Sequence, residues 1–181
     1  SIANSAFNEC KGLKEVHIND LAAWCGIDFG TSDANPLYYA KNLYLNDALV
    51  TELVIPADVT EIKGYTFSGC SGLTNIEIPS SVTSIGTGAF SGCSGLTSIE
   101  IPSSVTSIGG SAFKNCSSLE SITIPDGVTV IRSGTFSGCT SLVSIVIPES
   151  VTKIEGSGNS GIDYADGGAF YNCCSLTSVT I

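Results

Sequence analysis

The sequence predicts a repeat solenoid, in which short β-strands stack coil upon coil, and three observations carry this prediction. Phenylalanine recurs at a constant interval from Phe67 to Phe136, proline recurs at the same interval from Pro56 to Pro148, and cysteine shares this period. A fixed period of about 23 residues, with leucine and isoleucine at constant offsets, is typical of leucine-rich repeats. One such coil cannot bury its apolar face alone, so the coils must stack.

Each coil is predicted to consist of a strand, a proline that ends the strand, and a turn. In the copy "TSIEIP", Ile99 and Ile101 alternate with Glu100, which is the spacing of a half-buried strand. Pro102 ends the strand because it has no N–H to donate. The following "GGSAFKNC" predicts a short helical or 3₁₀ turn. The residue before the cysteine should adopt a positive φ, because it is Gly or Asn in five copies. The exception is Glu9 in the first copy.

Two insertions interrupt the period, and the repeat resumes in phase after each. The interval from Phe7 to Phe67 exceeds two periods, and the interval from Phe136 to Phe170 exceeds one. We place the insertions at about 19–50 and 155–167, within one solenoid domain covering residues 1–181. Seven predicted strands result, ending at Ile18, Ile55, Ile78, Ile101, Ile124, Ile147 and Ile181.

The first insertion contains a hairpin signal. Asn46 and Asp47 lie between "LYL" and "ALVTELVI", and Asn and Asp tolerate the conformation that a two-residue turn requires. We therefore expect a strand added beside the solenoid. The sequence contains no methionine, even at position 1, and we expect the chain to be a fragment of a longer protein.

Composition excludes two classes of partner. The net charge is −10, and the seven Lys and Arg residues are scattered, which argues against a nucleic-acid surface. No apolar run is long enough to span a membrane.

The cysteine column admits three interpretations: metal ligands, disulfides or buried free thiols. Zinc sites need closely paired ligands, and the chain has one histidine and no Cys-x₂-Cys pair. Disulfides between neighbouring coils would break an otherwise identical column, whereas a free thiol packs as a small hydrophobe. We predict a stacked ladder of reduced thiols without metal or cofactor. Its members are Cys10, Cys70, Cys93, Cys116, Cys139 and Cys173. A disulfide bond that involves Cys25 or Cys174, which lie outside the column, is an open alternative.

The repeats "FSGCSGLTNIEIPSSVTSI", "FSGCSGLTSIEIPSSVTSI", "FKNCSSLESITIPDGVTVI" and "FSGCTSLVSIVIPESVTKI" resemble the BspA-type leucine-rich repeats of bacterial surface proteins. The resemblance implies a secreted or cell-surface protein that adheres to host matrix proteins or other cells. It implies no catalytic residues.

The outward positions of the strands form the broadest predicted surface. It is a polar face with an acidic patch towards its N-terminal half, where Glu77 and Glu100 lie on adjacent strands. Such a pair can serve acid–base chemistry or cation binding, or it can be a tolerated feature of a solvated surface, which we favour. His17 begins one outward column as a surface histidine. The candidate binding residues are Asn75, Glu77, Ser98, Glu100, Ser121, Thr123, Ser144 and Val146.

Aromatic residues concentrate in the first insertion. Its candidate contact residues are Trp24, Tyr38, Tyr39 and Tyr44. They either pack the insertion against the solenoid, which we favour, or stack on a ligand.

These patterns predict a non-catalytic adhesion or binding module at the cell surface or in the extracellular space. Its partner would be a host matrix or cell-surface protein. A glycan-binding module and a structural spacer are the alternatives. An enzyme is disfavoured because no nucleophile is paired with a base.

Overall fold

The computed structural model describes residues 1–156 and 167–181, in which the chain winds as a parallel-strand β-solenoid of about six turns. The predicted repeat solenoid is therefore confirmed. The insertion predicted at 155–167 lies almost wholly outside the described residues. After it, the coil closes through a hydrogen bond of 3.1 Å from the Ala169 N–H to the Glu155 carbonyl.

The N-terminal part contains all the helices of the described chain. Strand β1 (Glu15–Ile18) precedes helix α1 (Leu21–Cys25), a 3₁₀ turn (Ser32–Ala34) and helix α2 (Leu37–Ala40). Strands β2 (Asn42–Leu45) and β3 (Ala48–Leu49) then form an antiparallel hairpin. Its turn residues Asn46 and Asp47 have φ values of 51° and 64°, so the predicted hairpin is confirmed.

Strand β2 lies next to β1, and this corrects one expectation from the repeat. The repeat alone predicts outward columns that run from Glu15 to Glu52 and from His17 to Val54. Instead β1 pairs in parallel with β2, which places Glu15 opposite Asn42 and His17 opposite Tyr44. The insertion thus supplies the strand that follows the first coil.

Six strands, one per coil, form a first ladder. They are β4 (Glu52–Val54), β6 (Asn75–Glu77), β8 (Ser98–Ile99), β10 (Ser121–Ile122), β12 (Ser144–Val146) and β14 (Ser178–Thr180). Equivalent residues face one another in parallel register, as in the pairs Val54–Glu77, Ser98–Ser121 and Val146–Thr180. Their positions agree with the six predicted strands ending from Ile55 to Ile181.

A second ladder was not predicted. It consists of β5 (Glu61–Ile62), β7 (Ser84–Ile85), β9 (Ser107–Ile108), β11 (Val130–Ile131) and β13 (Lys153–Ile154). A turn that begins at the proline connects the first ladder to the second. The proline carbonyl accepts a hydrogen bond from the N–H of the valine three residues later, as Pro102 does from Val105 at 3.0 Å. Two-residue strands are too short to show an alternating pattern in the sequence.

The turns between coils follow the 3₁₀ alternative of the prediction, as single turns that do not continue into a helix. Each has hydrogen bonds between residues three apart, such as the Cys116 N–H to the Phe113 carbonyl at 3.2 Å. The predicted positive φ is present at all five Gly and Asn positions. Glu9, which departs from the pattern in sequence, also adopts a φ of 61°.

Phenylalanine rings form the centre of the core. Phe67, Phe90, Phe113 and Phe136 are fully buried, and Phe170 continues the stack. Neighbouring rings are 5.4–5.7 Å apart between centroids and nearly parallel. Repetition of one rotamer in every coil thus produces a continuous column.

The cysteine column lies beside these rings, and all eight cysteines are free thiols. Each thiol from Cys93 to Cys173 donates to the phenylalanine carbonyl of the preceding coil over 3.1–3.2 Å. Burial raises the pKa of Cys139 to about 12 and that of Cys70 to about 11. The thiols therefore stay protonated and link the coils. The two end members of the column depart from the predicted burial, since Cys10 is exposed and Cys173 is only half-buried.

Candidate functional site

The outward side of the first ladder contains the predicted binding face. Residues alternate along the strands from β4 to β12, so that Ile76 is buried between exposed Asn75 and Glu77. In the last strand, β14, all three residues are exposed. The other exposed members of the predicted face are Ser98, Glu100, Ser121, Thr123, Ser144 and Val146. The structure thus brings all eight predicted residues onto one surface.

Open grooves run between the coils of this face. The larger, of about 580 Å³, is lined by Asn75, Glu77, Ser98, Glu100 and Pro102, together with isoleucines of the strands. A second, of about 380 Å³, follows it and is lined by Glu100, Ser121 and Thr123 among others. An open, extended surface of this kind suits a polymeric partner better than an enclosed small molecule.

The hydroxyl groups of the face divide into two classes. Thr74 and Thr177 donate to carbonyls of the preceding coil, Thr51 and Val143, at 2.9 and 3.2 Å. The hydroxyls of Ser98, Ser121, Thr123 and Ser144 make no hydrogen bond within residues 1–156 and 167–181. These four groups can therefore donate to, or accept from, a bound partner.

The charge on this face has one sign. Glu52, Glu77, Glu100 and Glu120 belong to the first-ladder segments and are exposed. Residues 51–55, 74–78, 97–101, 120–124, 143–147 and 177–181 include neither Lys nor Arg. The face therefore carries a negative field that favours cationic groups on a partner.

Trp24 packs the insertion against the solenoid. The side chain is buried, its ring lies 5.3 Å from that of Phe29, and its indole N–H donates to the Thr66 carbonyl at 3.1 Å. In later coils the equivalent carbonyl accepts from the phenylalanine N–H of the preceding coil, as Ala89 does from Phe67. The Trp24 indole thus takes the place of the phenylalanine N–H that fills this role in later coils, and its burial keeps it out of the binding surface.

Asn35 completes this cap, although sequence reasoning did not single it out. It is fully buried, and its side-chain amide donates to the carbonyls of Tyr65 and Thr66 at 2.7 and 2.9 Å. Its side-chain oxygen accepts from the Leu37 N–H at 2.9 Å, where α2 begins. An Asn-Pro pair before an apolar helix is the only sequence signal for this role.

The three tyrosines of the insertion differ in accessibility. Tyr39 is engaged, since its hydroxyl accepts from the Glu9 N–H at 3.0 Å and donates to Asn8 at 3.1 Å. The Tyr44 ring stacks on that of His17 at 4.6 Å. Tyr38 is 41% exposed, and the Lys41 ammonium lies 5.0 Å from its ring centroid. Tyr38 is therefore the tyrosine of the insertion best placed to meet a ligand.

The described residues contain no group of three or more His, Cys, Asp or Glu side chains placed to hold a metal ion. Likewise, none of the helices in this part of the chain has the length and apolar character needed to cross a membrane.

Comparison with protein families matches residues 39–160 to six copies of the BspA type leucine rich repeat region. Among solved structures, a T. pallidum leucine-rich repeat protein is 36% identical, with a TM-score of 0.64 over 72% of this chain and 58% of that one. A Bacteroides ovatus leucine-rich repeat protein is 30% identical, with a TM-score of 0.62 over 99% of this chain and 41% of that one.

A third structure is described as a leucine rich cell surface protein from Faecalibacterium prausnitzii. It is 25% identical, with a TM-score of 0.56 over 98% of this chain and 62% of the other. The chain thus spans less than two thirds of the length of each of these three proteins. No curated protein matches the sequence.

Proposed function

This chain belongs to the BspA-type leucine-rich-repeat family, and we propose that it is a non-catalytic binding module that uses the first-ladder face to contact a macromolecule outside the cell. The family is consistent with protein binding. More specifically, we propose that the chain adheres to a host matrix protein or to a surface protein of a host or neighbouring cell. An extracellular or cell-surface location is supported by the F. prausnitzii relative, which is described as a cell surface protein.

The observation that carries the proposal is the row of unused hydroxyls on the exposed first-ladder face. Ser98, Ser121 and Ser144 repeat at equivalent positions, on strands about 4.8 Å apart. An extended polypeptide laid across the coils would meet the same donor and acceptor in each coil. Because every contact is a single exposed hydrogen bond, affinity per molecule should be modest, and many copies on a surface would raise avidity.

The acidic field of the face adds a condition on the partner. Glu77 and Glu100 line the larger groove, so a partner with Lys or Arg beside its hydrogen-bonding groups should associate faster and more tightly. Such binding should weaken as salt is added, because the carboxylates are solvent-exposed and their field is screened over about 10 Å at 0.1 M salt.

A triple substitution tests the face. Replacement of Ser98, Ser121 and Thr123 by lysine would place cations in both grooves and oppose their negative charge. The matched control makes the same charge change at three exposed residues of the second ladder and its approach, namely Ser107 in β9 and Thr106 and Thr129 just before β9 and β11. Immobilised matrix proteins and intact cells are the targets. We expect the first variant to lose at least tenfold in affinity and the control to retain it. Equal binding by both folded variants would refute this placement of the site.

Glycan binding is a second candidate, favoured by the exposed ring of Tyr38 beside Lys41. Deletion of residues 28–45 is unsuitable as a test because it removes buried Asn35 and Leu37. Tyr38→Ala on a glycan array is the sharper experiment. Glycan binding by the unmodified protein that is lost in Tyr38→Ala would assign recognition to the insertion. If the unmodified protein binds neither glycans nor proteins, a structural spacer is favoured.

A further inference from the structure

A cluster of titratable side chains joins the first strand to the hairpin. The Nδ1 atom of His17, on β1, lies 3.0 Å from Oδ1 of Asp47 in the hairpin turn, and its Nε2 atom lies 3.3 Å from Oε2 of Glu15. On β2, Tyr44 stacks against the imidazole at an interplanar angle of 5°. Three segments thus converge on one histidine.

We propose that His17, Glu15 and Asp47 form a pH-sensitive clamp that holds the β2–β3 hairpin against β1. Ionised carboxylates only accept hydrogen bonds, and a neutral imidazole donates from one nitrogen only. The observed arrangement needs a donor at both nitrogens, which the imidazolium ion provides. Protonation therefore completes both contacts at once.

The electrostatics act in the same direction. The hydrogen bond with Asp47, followed by that with Glu15, raises the pKa of His17 above its ordinary value, against a smaller opposing effect of desolvation. A raised pKa in the folded state means that the clamp stabilises the structure fully below the unfolded pKa of about 6.5. This stabilisation is lost as the pH rises through the folded pKa.

The clamp should be easy to isolate experimentally because His17 is the only histidine in the chain. Histidine is the side chain whose ordinary pKa lies between about pH 5 and 8. The charged groups that face its ring are Glu15 from β1 and Asp47 from the turn, while Tyr44 from β2 meets it as an uncharged ring.

One backbone amide reports directly on the docked hairpin. The N–H of Asn46 donates to the Ile18 carbonyl at 3.0 Å, which links the turn to β1. Hydrogen exchange at this amide, corrected for intrinsic pH dependence, should be about two- to fivefold slower at about pH 5.5 than at about pH 8, the range expected for exposed ion pairs. The Phe113 amide, bonded to the Thr135 carbonyl in the middle of the stack, is the control.

Two substitutions and one control variant complete the test. Asp47→Asn removes one carboxylate while keeping a residue that tolerates the φ of 64°, and His17→Gln removes the titrating group. Both should abolish the pH dependence at Asn46, and Asp47→Asn should lower the His17 pKa measured by NMR. Glu149→Gln, an exposed acid elsewhere, should change neither. A protection factor at Asn46 that is independent of pH in the unmodified protein, or unchanged pH dependence in Asp47→Asn, would overturn the clamp.

Discussion

Replacement of Phe113 by alanine should be among the most destabilising single changes in this protein. The ring is fully buried and lies 5.5 Å from Phe90 and 5.7 Å from Phe136, almost parallel to both. Truncation of a buried phenylalanine costs about 3–5 kcal/mol, because the transfer free energy is lost and a cavity remains. Coils packed on both sides restrict its collapse, so we expect the upper part of that range.

The size of this effect can be measured by thermal unfolding. For a chain of this length, about 3–5 kcal/mol corresponds to a fall in Tm of roughly 6–20 °C. Phe170→Ala is the matched comparison, since that ring is half-buried with a single stacked neighbour, Phe136, at 5.4 Å. It should cost about half as much. Glu100→Ala, on the exposed face, should cost less than about 0.5 kcal/mol. Equal losses of stability for Phe113→Ala and Glu100→Ala would show that the inward and outward positions of the coil are assigned the wrong way round.

The remaining predictions concern the thiols and the cap. In the folded protein, exposed Cys10 and Cys174 should react with a thiol reagent first, while the column from Cys70 to Cys139 reacts only on unfolding, since burial keeps its thiols protonated. Recovery of fewer than six thiols after denaturation without reductant would instead indicate cross-linked coils. Asn35→Ala should cost about 1–3 kcal/mol by chemical denaturation because it removes the amide bonds to the carbonyls of Tyr65 and Thr66 and leaves the buried Leu37 N–H without its acceptor. Exposed Asn75→Ala should be nearly neutral.

The periodic part of the fold was predictable because each inward residue meets its own equivalent in the next coil. The period therefore located the phenylalanine stack, while alternation within each copy located the first-ladder strands, and Gly or Asn before the cysteine located the positive-φ turn positions. The hairpin at Asn46 and Asp47 was predictable for a different reason, since two residues that tolerate positive φ values define its turn locally.

Features that depend on non-repeating contacts were not predictable in the same way. The pairing of β1 with β2, and the contact of Asn35 with the carbonyls of Tyr65 and Thr66, join segments that are distant in sequence and share no pattern. The second ladder escaped prediction because its strands contain only two residues each. Position on the proposed binding face was predictable from alternation, but the availability of a hydroxyl depends on local geometry, which distinguishes Ser98 from Thr74.

In the proposed function, stability and recognition are carried by different positions of the same repeat. An inward position is constrained by the coils on either side, so Phe, Cys, Leu and Ile recur there. An outward position lacks this constraint, and one column accordingly changes from Glu77 and Glu100 to Thr123 and Val146. Neighbouring outward residues can therefore be substituted without repacking the core, although like charges on adjacent strands, as at Glu77 and Glu100, carry a small cost. The binding properties of the face should consequently be open to change coil by coil, while the phenylalanine and cysteine columns keep the coils in register.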